Sequence, residues 1–204
     1  MQMKVETLFA TPLARVDLSG YITEDQVAFV DSLTMVANQT NLISENLYIL
    51  DRPELQGFRA IISQCLKDYA INVMGCDQEL LLTQSWALRN AEGVGMHSHA
   101  HSNSIVSGSF YYTELPTPAS KMFFDRNTSY QRLELPPHPE RANIFNTKIN
   151  AVIPKTGELL LFPSELNHMV EQNPSPEVRS VIAFNTFIRG NIGNFRDVSE
   201  LSLK

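Results

Sequence analysis

RSVIAFNTFI, residues 179–188, alternates two kinds of side chain. Successive side chains of a β-strand point to opposite faces of the sheet, so the even-numbered residues share one face and the odd-numbered residues share the other. The even-numbered face is bulky enough to pack against helices, whereas the other carries the charge of Arg179, small residues and the amide of Asn185. The run therefore predicts a strand that separates a core from a pocket.

Short runs with strand character precede this strand, separated by clusters of Pro, Gly and Asn. They fall at residues 80–88, 96–101, 104–113, 121–124, 150–153 and 158–162. Two helices are predicted ahead of them, one beginning with a capping box at Thr23 and Gln26 and one running from Asp51 to Gly75. This order predicts a mainly β fold with N-terminal helices, an antiparallel sandwich or jelly roll.

The chain has 204 residues, a length that suits one domain. We expect a single domain over 1–204, with an N-terminal strand and supporting helices in 1–78 and the jelly-roll core in 79–190. The first strand-like stretch, 5–18, contains Pro12 and is expected at a sheet edge, because proline cannot donate to a ladder. The segment 125–147 lacks regular pattern and is expected to be either a lid beside the substrate or disordered.

Composition limits the partners and the compartment. The formal net charge is −6 and there is no long basic run, which argues against nucleic-acid binding. No apolar run approaches the roughly 18 residues of a membrane span. The two cysteines form no disulfide framework, so a reducing, cytoplasmic location is expected.

Four of the five histidines lie in two places, GMHSHAH at 95–101 and His168. His99 and His101 alternate, so an extended strand would present both to one ion, and His168 on a distant strand would complete a facial set of three. His97 lies on the same face and competes with His101 for the second position. Imidazole suits Fe, Cu, Ni and Zn, so zinc stays possible on ligand type alone, and what favours an iron oxygenase is the arginine that accompanies the three candidate ligands.

Arg179 opens the last strand, just beyond His168 in the sequence. A guanidinium in a pocket binds a carboxylate bidentately, which is what an oxygenase using 2-oxoglutarate needs for the distal carboxylate of that co-substrate. The alternative is a surface salt bridge with Glu177. The position of Arg179 beyond the last candidate ligand favours the anchor.

The combination of motifs resembles the 2-oxoglutarate- and Fe(II)-dependent oxygenase superfamily. It is most similar to the prolyl-hydroxylase-like branch and to small 2OG-Fe(II) oxygenases of bacteria and phages. The matching text spans nearly the whole chain and comprises Phe9–Leu13, Gln84–Trp86, His99–Gly108, Phe110–Tyr112, Gly157–Ser164, His168, Arg179 and Phe184–Phe187.

The resemblance implies a double-stranded β-helix, the jelly roll of these enzymes, with His99 and His168 as iron ligands. The usual motif is His-x-Asp, and His101 stands where the aspartate is expected, which replaces a carboxylate by a third nitrogen. Tyr111 falls where prolyl-hydroxylase-like enzymes have a tyrosine whose hydroxyl helps to hold the distal carboxylate of 2-oxoglutarate. Asn185 is expected to line the same pocket beside Arg179.

The implied activity is that of a dioxygenase, a hydroxylase that uses Fe(II), 2-oxoglutarate and O2. Two alternatives stay open: a cupin-like three-histidine enzyme that does not use 2-oxoglutarate, and a non-enzymatic jelly-roll binding module. The substrate can be a small molecule or a side chain of a peptide or protein, and oligomeric state is open. Asn103 either shapes the loop after the ligands or meets the substrate, and Trp86 is expected in the core.

Overall fold

The computed structural model describes residues 3–126 and 138–203. The helices are α1 (Glu24–Asp31) and α2 (Gln56–Tyr69), with short 3₁₀ turns at Ser19–Tyr21, Ile49–Asp51, Pro53–Leu55 and Pro139–Arg141 and a π turn at Ala70–Met74. The strands are β1 (Ala14–Asp17), β2 (Met35–Asn38), β3 (Asn41–Ser44), β4 (Glu79–Asn90), β5 (Met96–His99), β6 (Val106–Phe110), β7 (Met122–Asp125), β8 (Ile149–Val152), β9 (Glu158–Pro163), β10 (His168–Val170), β11 (Arg179–Ile192) and β12 (Leu201–Leu203). Residues 127–137 of the predicted 125–147 loop lie outside the described residues.

Two antiparallel sheets form the molecule. The larger sheet has the order β1-β9-β6-β11-β4-β3-β2, with β12 added to β11, and the smaller has the order β5-β10-β7-β8. From β5 to β11 the chain alternates between the sheets, with β7 and β8 both in the smaller one. That winding makes the core a double-stranded β-helix, so the predicted fold class is confirmed.

The helices cover the outer face of the larger sheet. The capping box forms at the start of α1, where the side chain of Thr23 accepts from the backbone of Gln26 and the side chain of Gln26 accepts in return. From α2, the fully buried Phe58 meets the Phe110 ring edge-on at 5.0 Å. Gly75 ends the helical segment with a φ of 66°, a left-handed conformation that glycine adopts without strain.

Residues 35–44 form a hairpin of β2 and β3 that the sequence did not predict. Val36 fits the apolar spacing of α1, but the helix ends at Asp31 and Val36 lies in β2. The hairpin continues the larger sheet next to β4, with Leu42 opposite Arg89. Its turn, at Gln39 and Thr40, therefore overhangs one end of the space between the sheets.

The prediction for the two faces of β11 is confirmed over its first residues. Ile182 and Phe184 are buried among the residues of the helix-side core, and Val181 is buried in a second cluster between the sheets. Tyr111, Phe124 and similar residues complete that second cluster. No helix in the described part of the chain has the length and apolar character needed to cross a membrane.

Candidate metal centre

Three imidazoles converge at one end of the smaller sheet. The register of β5 and β10 places His168 directly opposite His99, and their ring centroids are 4.4 Å apart. The His101 ring lies 5.1 Å from each of the other two. One ring nitrogen from each of the three lies within 4.8 Å of the others, a spacing that a single metal ion can bridge.

The hydrogen bonds of two of these rings fix the nitrogen that faces the cluster. Nδ1 of His99 lies 2.8 Å from the carbonyl oxygen of His97, and Nδ1 of His168 lies 2.9 Å from that of Leu166. Because a carbonyl can only accept, Nδ1 carries the proton and donates in both cases, which leaves Nε2 with a free lone pair. Metal-bound histidines are generally oriented by such a bond from the other nitrogen.

Burial also favours the neutral, metal-binding form. It lowers the pKa of His168 to about 4, with a smaller contribution from the charges of His99 and His101 against the opposing effect of the Leu166 carbonyl. Burial likewise lowers the pKa of His101 to about 4, and the neighbouring His99 adds to the effect. Both rings are therefore neutral near pH 7, with one nitrogen free of a proton, as a metal ligand must be.

His97 is not part of the cluster. Its side chain is exposed, and its ring lies 5.3 Å from that of His99, but no ring nitrogen of His97 joins the group formed by His99, His101 and His168. The strand β5 ends at His99, so His101 reaches the cluster from the following turn rather than by strand alternation. The structure thus brings together the same three histidines, although it positions one of them by a different route.

A network of buried hydroxyls holds that turn. The backbone N–H of His101 donates to the carbonyl of Ser164 at 2.9 Å. The hydroxyl of Ser164, fully buried, lies 2.7 Å from that of Ser104 and 2.8 Å from that of Ser107. These bonds join the turn after β5 to β6 and β9, and so restrict where His101 can lie.

Two predicted residues are not brought to the site. The side chain of Asn185 accepts a hydrogen bond from Ser107 at 2.8 Å and belongs to the hydroxyl network, because the register of β11 with β6 places these two residues directly opposite each other. Asn103 is exposed and has a φ of 54°, a left-handed conformation that asparagine tolerates better than most residues. Neither lines the cavity beside the histidines.

Arg179 lies in that cavity, and its environment lacks a counter-ion. The residue is only 3% exposed. Its Nη2 donates to the hydroxyl of Tyr111 at 3.0 Å, and its guanidinium carbon lies 5.1 Å from the centre of the Tyr111 ring. Its Nε is buried without a partner, and among the described residues no carboxylate lies within ion-pair distance of it.

The surface salt bridge with Glu177 is therefore wrong. A buried guanidinium without a carboxylate is costly, and an incoming carboxylate would supply the missing charge and accept from the free Nε. Three converging imidazoles and a free buried cation fit a metal ion together with a dicarboxylate co-substrate.

The cavity that contains these groups has a volume of about 230 Å³ and is lined by strands of both sheets. Trp86 contributes to its wall, with its ring 6.1 Å from that of His101, so the prediction that Trp86 belongs to the core is wrong. The register explains the placement, because Trp86 lies opposite Ala183 and shares the cavity face with Leu88 and Asn90. The alternation along β4 is the sequence signal that indicates this face.

Fold and site together define a jelly-roll enzyme dependent on a redox metal. A family model described as "Putative 2OG-Fe(II) oxygenase" matches residues 84–185, which is 102 of the 204 residues. The chain belongs to this family of 2-oxoglutarate- and Fe(II)-dependent oxygenases. The predictions of family, enzyme class and the use of iron and 2-oxoglutarate are confirmed, and the two alternatives without 2-oxoglutarate are wrong.

Solved structures of such enzymes share the fold. HygX from Streptomyces hygroscopicus, determined with nickel and 2-oxoglutarate bound, has a TM-score of 0.62 at 13% identity, covering 87% of this chain and 83% of its own. A prolyl-4-hydroxylase from Pseudomonas putida has a TM-score of 0.59 at 12% identity, covering 88% and 94%. An oxidoreductase of the 2OG-Fe(II) oxygenase family from Burkholderia pseudomallei has a TM-score of 0.60 at 9% identity, covering 86% of this chain and 84% of its own. No curated protein shows significant sequence similarity to the chain.

Proposed function

We propose that the protein is a hydroxylase in which His99, His101 and His168 hold Fe(II) while Arg179 and Tyr111 hold the distal carboxylate of 2-oxoglutarate. The observation that carries the proposal is the buried, unpaired Nε of Arg179 in the same cavity as three converging imidazoles. We further propose that residues 1–204 act as one domain, with 79–190 as its jelly-roll core.

The residues of the chain bind and orient the reactants. The Nε2 atoms of His99 and His168 are held ready by the Nδ1–H bonds to backbone carbonyls. The fork of Arg179 sets the direction of the co-substrate, since a bidentate guanidinium–carboxylate pair is strongly directional. Bound iron supplies the oxidising chemistry, in which O2 is activated as 2-oxoglutarate is converted to succinate and CO2.

The ligand set also has a consequence for charge. Three neutral imidazoles contribute no negative charge, whereas a set with an aspartate would contribute one. The carboxylates of 2-oxoglutarate then supply the negative charge near the metal, so we expect metal and co-substrate to strengthen each other's binding. Apolar side chains such as Phe162 and Val181 line another part of the cavity and limit the access of water there.

The substrate is proposed to be a small molecule or a side chain of a peptide. HygX has also been determined with hygromycin B bound, so a related fold accepts a small molecule. We place the protein in the cytoplasm because Cys65 and Cys76 are free thiols, which is usual in a reducing compartment.

The test measures binding and turnover of 2-oxoglutarate by the purified, Fe(II)-loaded protein. Arg179→Gln removes the cation but keeps a polar side chain, and we expect 2-oxoglutarate to bind about a hundredfold more weakly, because breaking a buried charge pair costs about 2–5 kcal/mol. Arg189→Gln is the matched control, since Arg189 lies on the same strand but is exposed and pairs with Glu79. Unchanged affinity in Arg179→Gln would refute the role of Arg179.

A further inference from the structure

One wall of the cavity consists of carboxamides. Asn38, Gln39 and Asn41 come from the β2–β3 hairpin, and Asn90 comes from the end of β4. Asn41 and Asn90 are 5% and 1% exposed, whereas Asn38 is half-buried and Gln39 is exposed at the turn. The wall therefore leads from the interior of the cavity to its rim.

Three of these amides form a chain of hydrogen bonds with a fixed direction. Asn90 donates to the carbonyl of Val94 at 3.3 Å, Asn41 donates to Asn90 at 3.2 Å, and Asn38 donates to Asn41 at 3.0 Å. Because the Val94 carbonyl can only accept, Asn90 must turn its NH2 group toward it. The oxygen of Asn90 then accepts from the NH2 group of Asn41, and the oxygen of Asn41 accepts from the NH2 group of Asn38. The chain ends at Oδ1 of Asn38, an acceptor at the rim that receives no hydrogen bond from any described residue.

The charges of the cavity exclude one class of ligand. Among the described residues that line it, Arg179 is the one ionisable side chain apart from histidine, and none is an aspartate, glutamate or lysine. A substrate ammonium or guanidinium would lose its hydration without gaining a counter-ion, which is unfavourable. Under the proposed function Arg179 is already paired with 2-oxoglutarate, so an anionic substrate gains no partner either.

The size of the cavity places the recognition at its rim. A volume of about 230 Å³ is below the usual range for ligand pockets, about 300–1,000 Å³. With 2-oxoglutarate bound, only the reacting part of a substrate fits inside, and the rest must contact the rim residues. At the rim, Gln39 has a φ of 53°, a left-handed conformation that is costly for a residue other than glycine. Glycine would avoid that cost but would present no amide.

We propose that the substrate is uncharged and presents an N–H or O–H donor to Oδ1 of Asn38, with Gln39 as a second polar contact beside it. This inference rests on the proposed function, because it takes Arg179 as occupied by 2-oxoglutarate. The substrate group that meets Asn38 is a neutral hydrogen-bond donor, which can be the N–H of a secondary amide or the O–H of an alcohol.

The experiment uses matched fragments on the full-length protein loaded with Ni(II) and 2-oxoglutarate, which binds without turnover. Each fragment is prepared as a secondary amide, an alcohol, an ester and an ammonium compound, and dissociation constants are measured by ligand-observed NMR. We expect the amide or the alcohol to bind about tenfold more tightly than the matching ester, and the ammonium compound to bind most weakly. Whether the amide or the alcohol is preferred identifies the source of the donor.

Two variants assign this preference to one atom. Asn38→Leu should bind amide, alcohol and ester equally, and the isosteric Asn38→Asp should shift the preference to the ammonium compound. Asn191→Leu, an exposed asparagine on β11 away from the cavity, is the control and should behave as the wild type. The inference is wrong if the ester or the ammonium compound binds the wild type as tightly as the amide and the alcohol do, or if neither the amide nor the alcohol binds. It is also wrong if Asn38→Leu still prefers the amide or the alcohol over the ester. A wild-type protein that fails to bind 2-oxoglutarate would instead refute the proposed function.

Discussion

Two hollows of the protein differ in size, and the smaller of the two carries the chemistry. The cavity between the sheets has a volume of about 230 Å³ and contains the three imidazoles and Arg179. A groove at the edge of the smaller sheet has about 760 Å³ and is lined by residues 6–13, part of β7 and β8, and the segment around Phe145. No histidine is among the described residues that line the groove, and the one cationic residue among them, Arg126, donates to the carbonyl of Phe145.

The two hollows differ in what fixes their walls. The cavity is lined largely by paired strands, so the register of β5 with β10 and of β4 with β11 determines which side chains meet. The groove is lined on one side by an extended N-terminal segment in which Leu8 and Phe9 are 80% and 93% exposed. Volume alone therefore does not identify a functional site, whereas converging side chains of defined chemistry do.

The largest expected effect comes from removing a histidine of the cavity. His168→Ala deletes the most buried of the three imidazoles, and we expect Fe(II) affinity to fall by more than about a hundredfold, beyond the 10–100-fold typical of losing an outer-shell partner. Turnover of 2-oxoglutarate should be lost with it. Metal content after dialysis and succinate formation are the two measurements.

His138→Ala is the matched control, because His138 is exposed and lies far along the chain from the cluster. It should retain metal and turnover. If His168→Ala retained Fe(II) as the control does, the cavity would lose its role as the metal site.

Much of this arrangement could be predicted from sequence because it follows from strand alternation. The faces of β11 up to Phe184 are as predicted, with Arg179 toward the cavity and Ile182 toward the helices. The convergence of His99 with His168 required a long-range pairing that spacing alone does not determine, and it was predicted from the chemistry of the residues instead.

The remaining differences have physical causes. The pairing of β11 with β6 places Asn185 opposite Ser107 and so in the hydroxyl network, and the sequence does not show which strand lies beside β11 at that point. The β2–β3 hairpin was missed because Val36 continues the apolar spacing of α1, and the turn at Gln39 has none of the glycine usual for a left-handed position. Trp86 was assigned to the core from residue type, although its strand face points to the cavity.

A second prediction concerns the packing behind the cavity wall. Gly108 lies on β6, and a Cβ placed there would come within 2.1 Å of the Phe184 ring, which is fully enclosed in the helix-side core. Gly108→Ala should therefore lower the free energy of unfolding by about 1–3 kcal/mol, as overpacking of a core does. Urea unfolding of the metal-free protein measures the change.

Gly20→Ala provides the contrast, since no atom lies within 4 Å of the added carbon and φ is not positive. It should leave stability unchanged or raise it by up to about 1 kcal/mol. A Gly108→Ala protein as stable as the wild type would show that the strand can shift away from Phe184, and that the cavity wall is less rigid than its pairing indicates.

The smallest effect is expected in the groove. Phe9→Ala removes the most exposed of its aromatic side chains, and stability should change by no more than about 0.5 kcal/mol, as for most surface substitutions. Affinity for 2-oxoglutarate should stay within twofold of the wild type, because none of the residues that line the groove also lines the cavity. Calorimetric titration of the Ni(II)-loaded protein, with Arg179→Gln as the positive control, tests this independence. A clear loss of affinity in Phe9→Ala would show that the two hollows communicate, most directly through Phe124, whose ring faces that of His168 at 6.1 Å and also lines the groove.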